Sequence, residues 1–490
     1  MWLSLLENSE CTNFTSRMNT KTALNSHLAT EKISKLLINY TLPAMVGTVV
    51  MSLYNIVDRI FIGQGVGPLA ISGLALSFPF MIVLLAFGML IGAGSASRIS
   101  ITLGENDLPK AEKILGNAVT LTFIISGTVV IFSYIFMDDL LALFGGTQNT
   151  IHYAHSYMRI IIPGGVLTAL YFGLNNIMRA SGHPRKAMFN ILLGAVCNIL
   201  LDALFIFVFH WGIAGAAIAT VISYFIGSIY GVVHFMLPTT QLRFHGANFK
   251  LDFRIIKSII SIGLSPFSMQ IGTSLVVILI NSTLLKYGGD LAIGAYGIIN
   301  SVNTLVIFFI VGLNQGSQPI IGYNYGAKQY DRMFRTLRVT VITATIISTT
   351  GFIIGVFLPH QVVSFFTRDA QLQAIAATAQ RISVSMFPII GFQIVFSNFF
   401  QSIGKAKVSI FLSLVRQFVF LIPAIFLLPP LFGLQGAWAV MPLSDGLSAI
   451  VSATIFTLFY RNFKKKYRQT ISENNLNQMA VNEKTDILTR

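Results

Sequence analysis

Three acids carry the chemistry this sequence can perform in an apolar setting: Asp58 in "SLYNIVDRIFIGQGVG", Asp202 in "NILLD" and Asp445 in "MPLSDGLSAI". Each lies in a long hydrophobic stretch, where an ionised side chain costs roughly 2.5–3.5 kcal/mol even on a lenient insertion scale. No Glu occurs between Glu112 and Glu473, so the candidates are few. On a helix, Asn55 and Tyr54 share a face with Asp58, and Asn198 shares one with Asp202. Both helices are therefore expected to set a carboxylate beside an amide or phenol, which can hold a proton or a bare cation away from lipid. The bland alternative puts these acids near helix ends, where they simply meet water; Asp58, close to Gly63, is the more open to it. Arg59 follows Asp58 and points about 100° away, so it is expected to snorkel to the outer interface. A direct Arg59–Asp58 ion pair would instead oppose proton uptake. Asp445 has two readings, a substrate contact or a pair with Arg416 of "VRQ", and a structural pair is the commoner fate of a lone buried acid.

These acids sit in a chain of 490 residues that is 54% hydrophobic and 10% charged, with 40 Phe and 40 Gly. So few charges cannot cover a water-soluble surface, which makes this an integral membrane protein whose main partner is the bilayer. The net charge of +15 fits basic loops at a membrane face better than nucleic acid, which is not expected as a partner. Cys11 and Cys197 are far apart and imply no disulfide framework. "MWLSLLENSE" lacks the basic flank and core of a signal peptide, and Met18 is a plausible alternative start.

Apolar runs long enough to cross about 30 Å of hydrocarbon as helix fall near 39–62, 69–94, 115–137, 154–177, 188–209, 213–236, 257–285, 291–315, 336–358, 376–400, 408–430 and 434–460. Basic residues collect after every second span, including Arg98, Lys110 and Lys113, then Arg179, Arg185 and Lys186, and finally "RNFKKKYR" at 461–468. Lys286 and Arg368 are the main exceptions, so both termini are expected in the cytoplasm. The polar end "ISENNLNQMAVNEKTDILTR" reads as a disordered tail.

A shift of about 222 residues lays the chain on itself. "RASGHPRKA" meets "QSIGKAKVS", "HWGIAGAA" meets "LFGLQGAW", Arg159 meets Arg381, and Pro43 meets Pro266 with a one-residue slip. The expected fold is all-α, twelve transmembrane helices in two six-helix lobes related by pseudo-twofold symmetry about the membrane normal. The divisions are a cytoplasmic segment 1–38, an N-terminal lobe 39–236, a linker 237–256, a C-terminal lobe 257–460 and a basic then disordered tail 461–490. Halves of this kind rock around a central cleft. Pro43 lies about four turns before Asp58. It either lets the first helix swing or makes a static kink.

"YNIVDRIFIGQGVGPLAISGLALSFP", "GHPRKAM", "NILLDALFIF", "GIAGAAIATVIS", "GYNYGAK" and "VRQFVFLIPAIFLLPPLFGLQGAWAVMPLSD" together resemble the multidrug and toxic compound extrusion (MATE) family, in its bacterial DNA-damage-inducible-F branch, over about residues 30 to 460. The resemblance implies a multi-pass bacterial cytoplasmic-membrane antiporter, a monomer without cofactor, exchanging amphipathic or cationic small molecules for H+ or Na+. It puts a coupling cluster on Asp58, Asn198, Asp202 and Thr220, and carries a proline at Pro43. Arg59 departs from the small residue usual after the first acid.

The repeat sets the neutral Asn281 opposite Asp58 and Pro423 opposite Asp202, so ion coupling is expected in the N-terminal lobe alone. Tyr54, Asn55, Asn175, Asn176, Gln270, Asn281, Gln393 and Asp445 are candidates for a substrate cleft, although most amides in spans bond neighbouring helices. A lipid-linked saccharide flippase of the same fold group is the alternative, but it would need several mid-span cations for a pyrophosphate and Arg416 is the chief one. No catalytic pair, Ser/His arrangement or metal-ligand spacing among His152, His155, His210 and His360 suggests an enzyme or a metal site. "GQGVG" and "GAGSAS" are packing glycines rather than phosphate loops, and "NST" at 281–283 falls inside a span.

Overall fold

The computed structural model describes residues 27–143 and 151–488, so the alternative start at Met18, Cys11 and the last two residues lie outside the described residues. Its helices are α1 Ile33–Gly65, α2 Pro68–Gly104, α3 Leu108–Ile135, α4 Ile151–Ala180, α5 Pro184–Val208 and α6 Gly212–Met236. The second six are α7 Phe253–Gly289, α8 Leu291–Gly326, α9 Tyr330–Phe357, a bent α10 made of Ala370–Ser383 and Phe387–Ser402, then α11 (406–432) and α12 (434–488). The last two run together at first sight, but helix of that length far exceeds a bilayer at about 1.5 Å per residue. Gly433, at φ 58°, breaks it and turns the chain back. Twelve spans in two lobes result, as the hydropathy pattern requires, and the protein is a multi-pass membrane protein.

Local chemistry explains the boundaries. Asp107, Asp252 and Asp369 cap helices by accepting from the amides of Lys110, Arg254 and Leu372, and Pro68 and Pro184 start α2 and α5. α10 bends by 54° at residues 384–386. There Pro388, which has no amide hydrogen to give, opens a new helix instead of extending the old one. Serine and threonine in the spans return their hydroxyls to carbonyls one turn back, as Thr122 does to Ala118 and Thr340 to Thr336. Ile131, Ile135, Ile346 and Leu427 stay exposed because their solvent is lipid.

The turns repeat with the sequence. Among the described residues, the glycines at positive φ pair as Gly67 with Gly289, Gly182 with Gly404 and Gly212 with Gly433. The positive-φ Asn106 and Lys328 pair in the same way. Equivalent connections in the two lobes thus share one backbone solution.

One difference concerns the end of the chain. The tail expected to be disordered continues α12 as helix to Leu488. Its many helix formers continue a helix already nucleated. Pro43 sits buried inside an unbroken α1.

The lobes meet at the face that carries the basic connections. The buried cluster there joins Leu37, Ile99 and Leu115 of the first lobe to Ile255, Ile259, Ile320 and Tyr323 of the second. The clusters at the opposite face, around Ile62 and Tyr157 and around Leu284 and Trp438, each belong to one lobe. The seam is close at backbone level. A Cβ on Gly104 would strike the Tyr323 carbonyl and one on Gly326 the Ile101 carbonyl, both glycines and both carbonyls being related by the repeat. Gln318 Nε2 donates across the seam to Ser97 Oγ at 2.6 Å, and the Phe87 and Phe267 rings meet at 5.0 Å. Outside the spans, the linker is tied down by Lys113 Nζ, 2.8 Å from Asp252 Oδ2. That hydrogen bond holds the Asp252 carboxyl below its ordinary range, so the tie is present at neutral pH and weakens as pH falls through the lowered value.

The seam yields a test. In a cysteine-free background, Ser97→Cys with Gln318→Cys is expected to cross-link efficiently, and adding Gly104→Ala with Gly326→Ala to cut the yield several-fold. An unchanged yield would show that the glycines do not set the closure.

Candidate functional site

Asp58 of α1 and Asp202 of α5 are buried, at 8% and 0% exposure, in the half of the N-terminal lobe away from the seam. This removes the water-exposed reading of both acids. Their carboxyl groups are near enough to influence one another, although neither oxygen of Asp202 has a hydrogen-bond partner. Two buried carboxylates that feel one another cannot both stay ionised at low cost, so a proton or a cation at either would be favoured. Asp202 precedes a π-helical turn, Leu204–Val208, a local widening often found where a helix carries function.

Around the pair, Asn198 Nδ2 donates to Thr220 Oγ1 of α6 at 3.3 Å. The Tyr54 and Tyr224 hydroxyls meet at 3.0 Å. Tyr157 of α4 turns its hydroxyl toward Met81 Sδ at 3.9 Å and lies beside Thr220 and both acids. The rings of Tyr171 and Phe172 pack at a tilt against Tyr224, with centroids 5.3 and 5.9 Å away. Four buried oxygens, Asp58 Oδ1, both of Asp202 and Asn198 Oδ1, meet no donor of the protein. Orphaned oxygens at one place make a seat for a proton or for a small cation with oxygen ligands. Among the described residues no cluster of three or more His, Cys, Asp or Glu offers a transition-metal site.

The adjoining cavity is lined by Tyr54, Tyr171, Asn198, Thr220 and Tyr224, among others, and has room for little more than one water molecule. Ligand pockets for drug-sized compounds run to several hundred cubic ångströms, about 300–1,000 Å³. In this conformation the cavity is far too small for a drug-sized compound.

The remaining candidates scatter. Asn55 is exposed and donates to the Met51 carbonyl at 2.6 Å, so it does not join Asp58. Spacing placed it three residues from the acid, but the inward face of α1 passes through Tyr54 and Asp58, four apart. Asn175 holds the Ala187 carbonyl at 2.8 Å, tying α4 to the start of α5. Asn176 accepts from Arg179 Nη2 at 2.7 Å. Gln393 donates to Ser448 Oγ at 2.7 Å, an interhelical bond. Gln270 and Asn281 are half-buried in α7, away from the first-lobe cluster. Asp445 is the partner of Arg416, whose Nε lies 2.6 Å from its Oδ1. Arg59 is exposed with its guanidinium 5.3 Å from the Phe78 ring, a cation–π contact. Among the described residues it makes no ion pair with Asp58. Spacing missed Tyr157, Tyr171 and Tyr224. Tyr224 was findable, four residues beyond Thr220 on the same face, whereas Tyr157 comes from another helix by packing.

Removing the hydroxyl partner tests the geometry. Thr220→Val leaves the Asn198 amide unpaired and is expected to cost about 1–3 kcal/mol, read as a lower Tm in detergent, with Thr220→Ser near wild type. Equal Tm values for all three proteins would refute the bond.

The MatE family model matches the chain twice, over residues 43–204 and 267–427, in step with the two lobes. The Multidrug export protein MepA of Staphylococcus haemolyticus (strain JCSC1435) is 27% identical over 410 residues, covering 84% of this chain and 90% of that protein. A solved structure described as the MATE multidrug transporter DinF-BH in complex with a compound matches at 38% identity and TM-score 0.82, over 88% of this chain and 96% of that one. Another, described as the outward-facing conformation of a multidrug resistance MATE family transporter, shares the fold at TM-score 0.84 and 24% identity, over 90% and 99% of the two chains.

Proposed function

The chain belongs to the MATE family, and on that premise we propose that it is a secondary active multidrug exporter, driven by protons or sodium ions moving inward as amphipathic or cationic compounds move outward. The observation that carries the proposal is the buried Asp58–Asp202 pair, with its orphaned oxygens, in a lobe whose repeat counterpart places the neutral Asn281 and Pro423 at these positions. The basic face is read as cytoplasmic by the charge rule. On that reading the lobes are closed inside and apart outside, one end state of alternating access.

The cycle then follows. In the outward-open state a proton or cation from outside enters between the two carboxylates and relieves their repulsion. Its arrival alters the packing of α1 against α5 and α6 and favours release of the compound outside. Return to the inward-open state exposes the pair to the cytoplasm, where the ion leaves. An inside-negative potential adds about 2.3 kcal/mol per charge per 100 mV, close to fiftyfold accumulation for one charge. The small cavity supports a division of labour in which the compound occupies the cleft between the lobes while the pair holds only the ion. A flippase reading gains nothing here, because a pyrophosphate would need several mid-span cations and Arg416 is the chief one the sequence offers.

The test is uptake of a fluorescent cation into everted vesicles carrying the full chain. Imposed pH and sodium gradients, applied separately, identify the coupling ion. Wild type is expected to respond to one of them, and Asp58→Asn and Asp202→Asn to lose at least tenfold of that response. Transport that ignores both gradients, or that survives both substitutions, would overturn the reading.

A further inference from the structure

The second lobe holds a charged site that ion coupling does not use. Arg416 of α11 lies inside a second π-helical segment, Val415–Leu421, and bonds Asp445 of α12. Beside them Gln417 Nε2 donates to Thr273 Oγ1 of α7 at 3.3 Å, and Tyr296 of α8 lies close by. Both charged residues sit ten to twelve residues from their helix starts, about 15–18 Å deep and so near the middle of the bilayer.

The repeat says what this place is. The turn glycines Gly182 and Gly404 set Arg416 opposite Gly194, and Gly212 and Gly433 set Asp445 opposite Tyr224. Gly194 and Tyr224 both line the small cavity of the first lobe. Where the N-terminal lobe keeps a cavity beside its acids, the C-terminal lobe has filled the equivalent space with an ion pair. The two partners are not equally hidden, since the Asp445 side chain is 3% exposed and that of Arg416 26%. Exposure of a guanidinium at mid-bilayer depth requires water rather than lipid, which puts it at the cleft. Among the described residues it meets no acceptor other than Asp445, so its two Nη groups keep their donors free.

We propose that Arg416, held in place by Asp445, is the recognition point for the carboxylate of amphipathic substrates that bear one. The planar guanidinium fork matches a carboxylate edge-on with two parallel hydrogen bonds. A purely cationic compound gains nothing from it, so the pair extends the substrate range to zwitterions without strengthening the hold on cations. This rests on the exporter reading, but its test stands apart from transport.

The experiment is equilibrium binding to the purified full chain of two matched dyes, a rhodamine ethyl ester and the acid obtained by hydrolysing it, followed by fluorescence anisotropy near neutral pH. The ratio of acid to ester affinity is expected to fall about tenfold in Arg416→Gln, the loss of one charge-assisted contact. Arg416→Lys should fall between the two. If Arg416→Gln does not fold because Asp445 is left buried and unpaired, the neutral double variant Arg416→Gln with Asp445→Asn removes both charges and should show the same fall. A ratio within twofold of wild type in the folded variants overturns the proposal. Failure of wild type to bind either dye would count against the exporter reading itself.

Discussion

Hydrocarbon offers no hydrogen bonds, so every polar group along these spans must find its partner inside the protein, and the structure follows from how that demand is met. Many hydroxyls return to their own helices, Asn303 and Gln393 of the second lobe close on serines, and Arg416 closes on Asp445. The demand is left open around Asp58, Asp202 and Asn198, whose oxygens meet no donor of the protein, and also at neutral amides such as Asn190 and Asn314. What sets the first place apart from the amides is that it holds two acids, which can take up a proton or a cation where a neutral amide cannot.

The seam obeys a second constraint, close approach. Two six-helix bodies of this size could meet through bulky side chains, which tolerate sliding. They meet instead at glycines set against carbonyls in reciprocal fashion, which tolerates little. Such a contact is either made or broken, and that suits a protein read as alternating between two states.

Much of this was legible in the sequence, and for identifiable reasons. Span length, the placement of lysine and arginine and the repeat are one-dimensional signals, so the two-lobed architecture could be read directly. The scarcity of acids did the same for Asp58 and Asp202, since few residues competed for attention. Their nearness to one another came only from the family resemblance, because it depends on how α1 crosses α5. Asn55 misled because three and four residues both count as one turn, and only packing decides between them. Tyr157 carried no local signal at all. The bend at residues 384–386 was written in Pro388, and the helical tail was hidden by a polarity that reports on burial and not on backbone conformation.

The cavity beside the acids has a consequence for how such a protein changes over time. On the exporter reading, with the ion held beside a cavity too small for a dye, the part that is powered and the part that is emptied would not share atoms. Residues of the cleft can drift to suit new cargo without detuning the drive, and the drive can be retuned without narrowing the cargo. Breadth of specificity is then no compromise struck at a single pocket but a freedom left by keeping two sites apart, joined only through the shape of the helices between them.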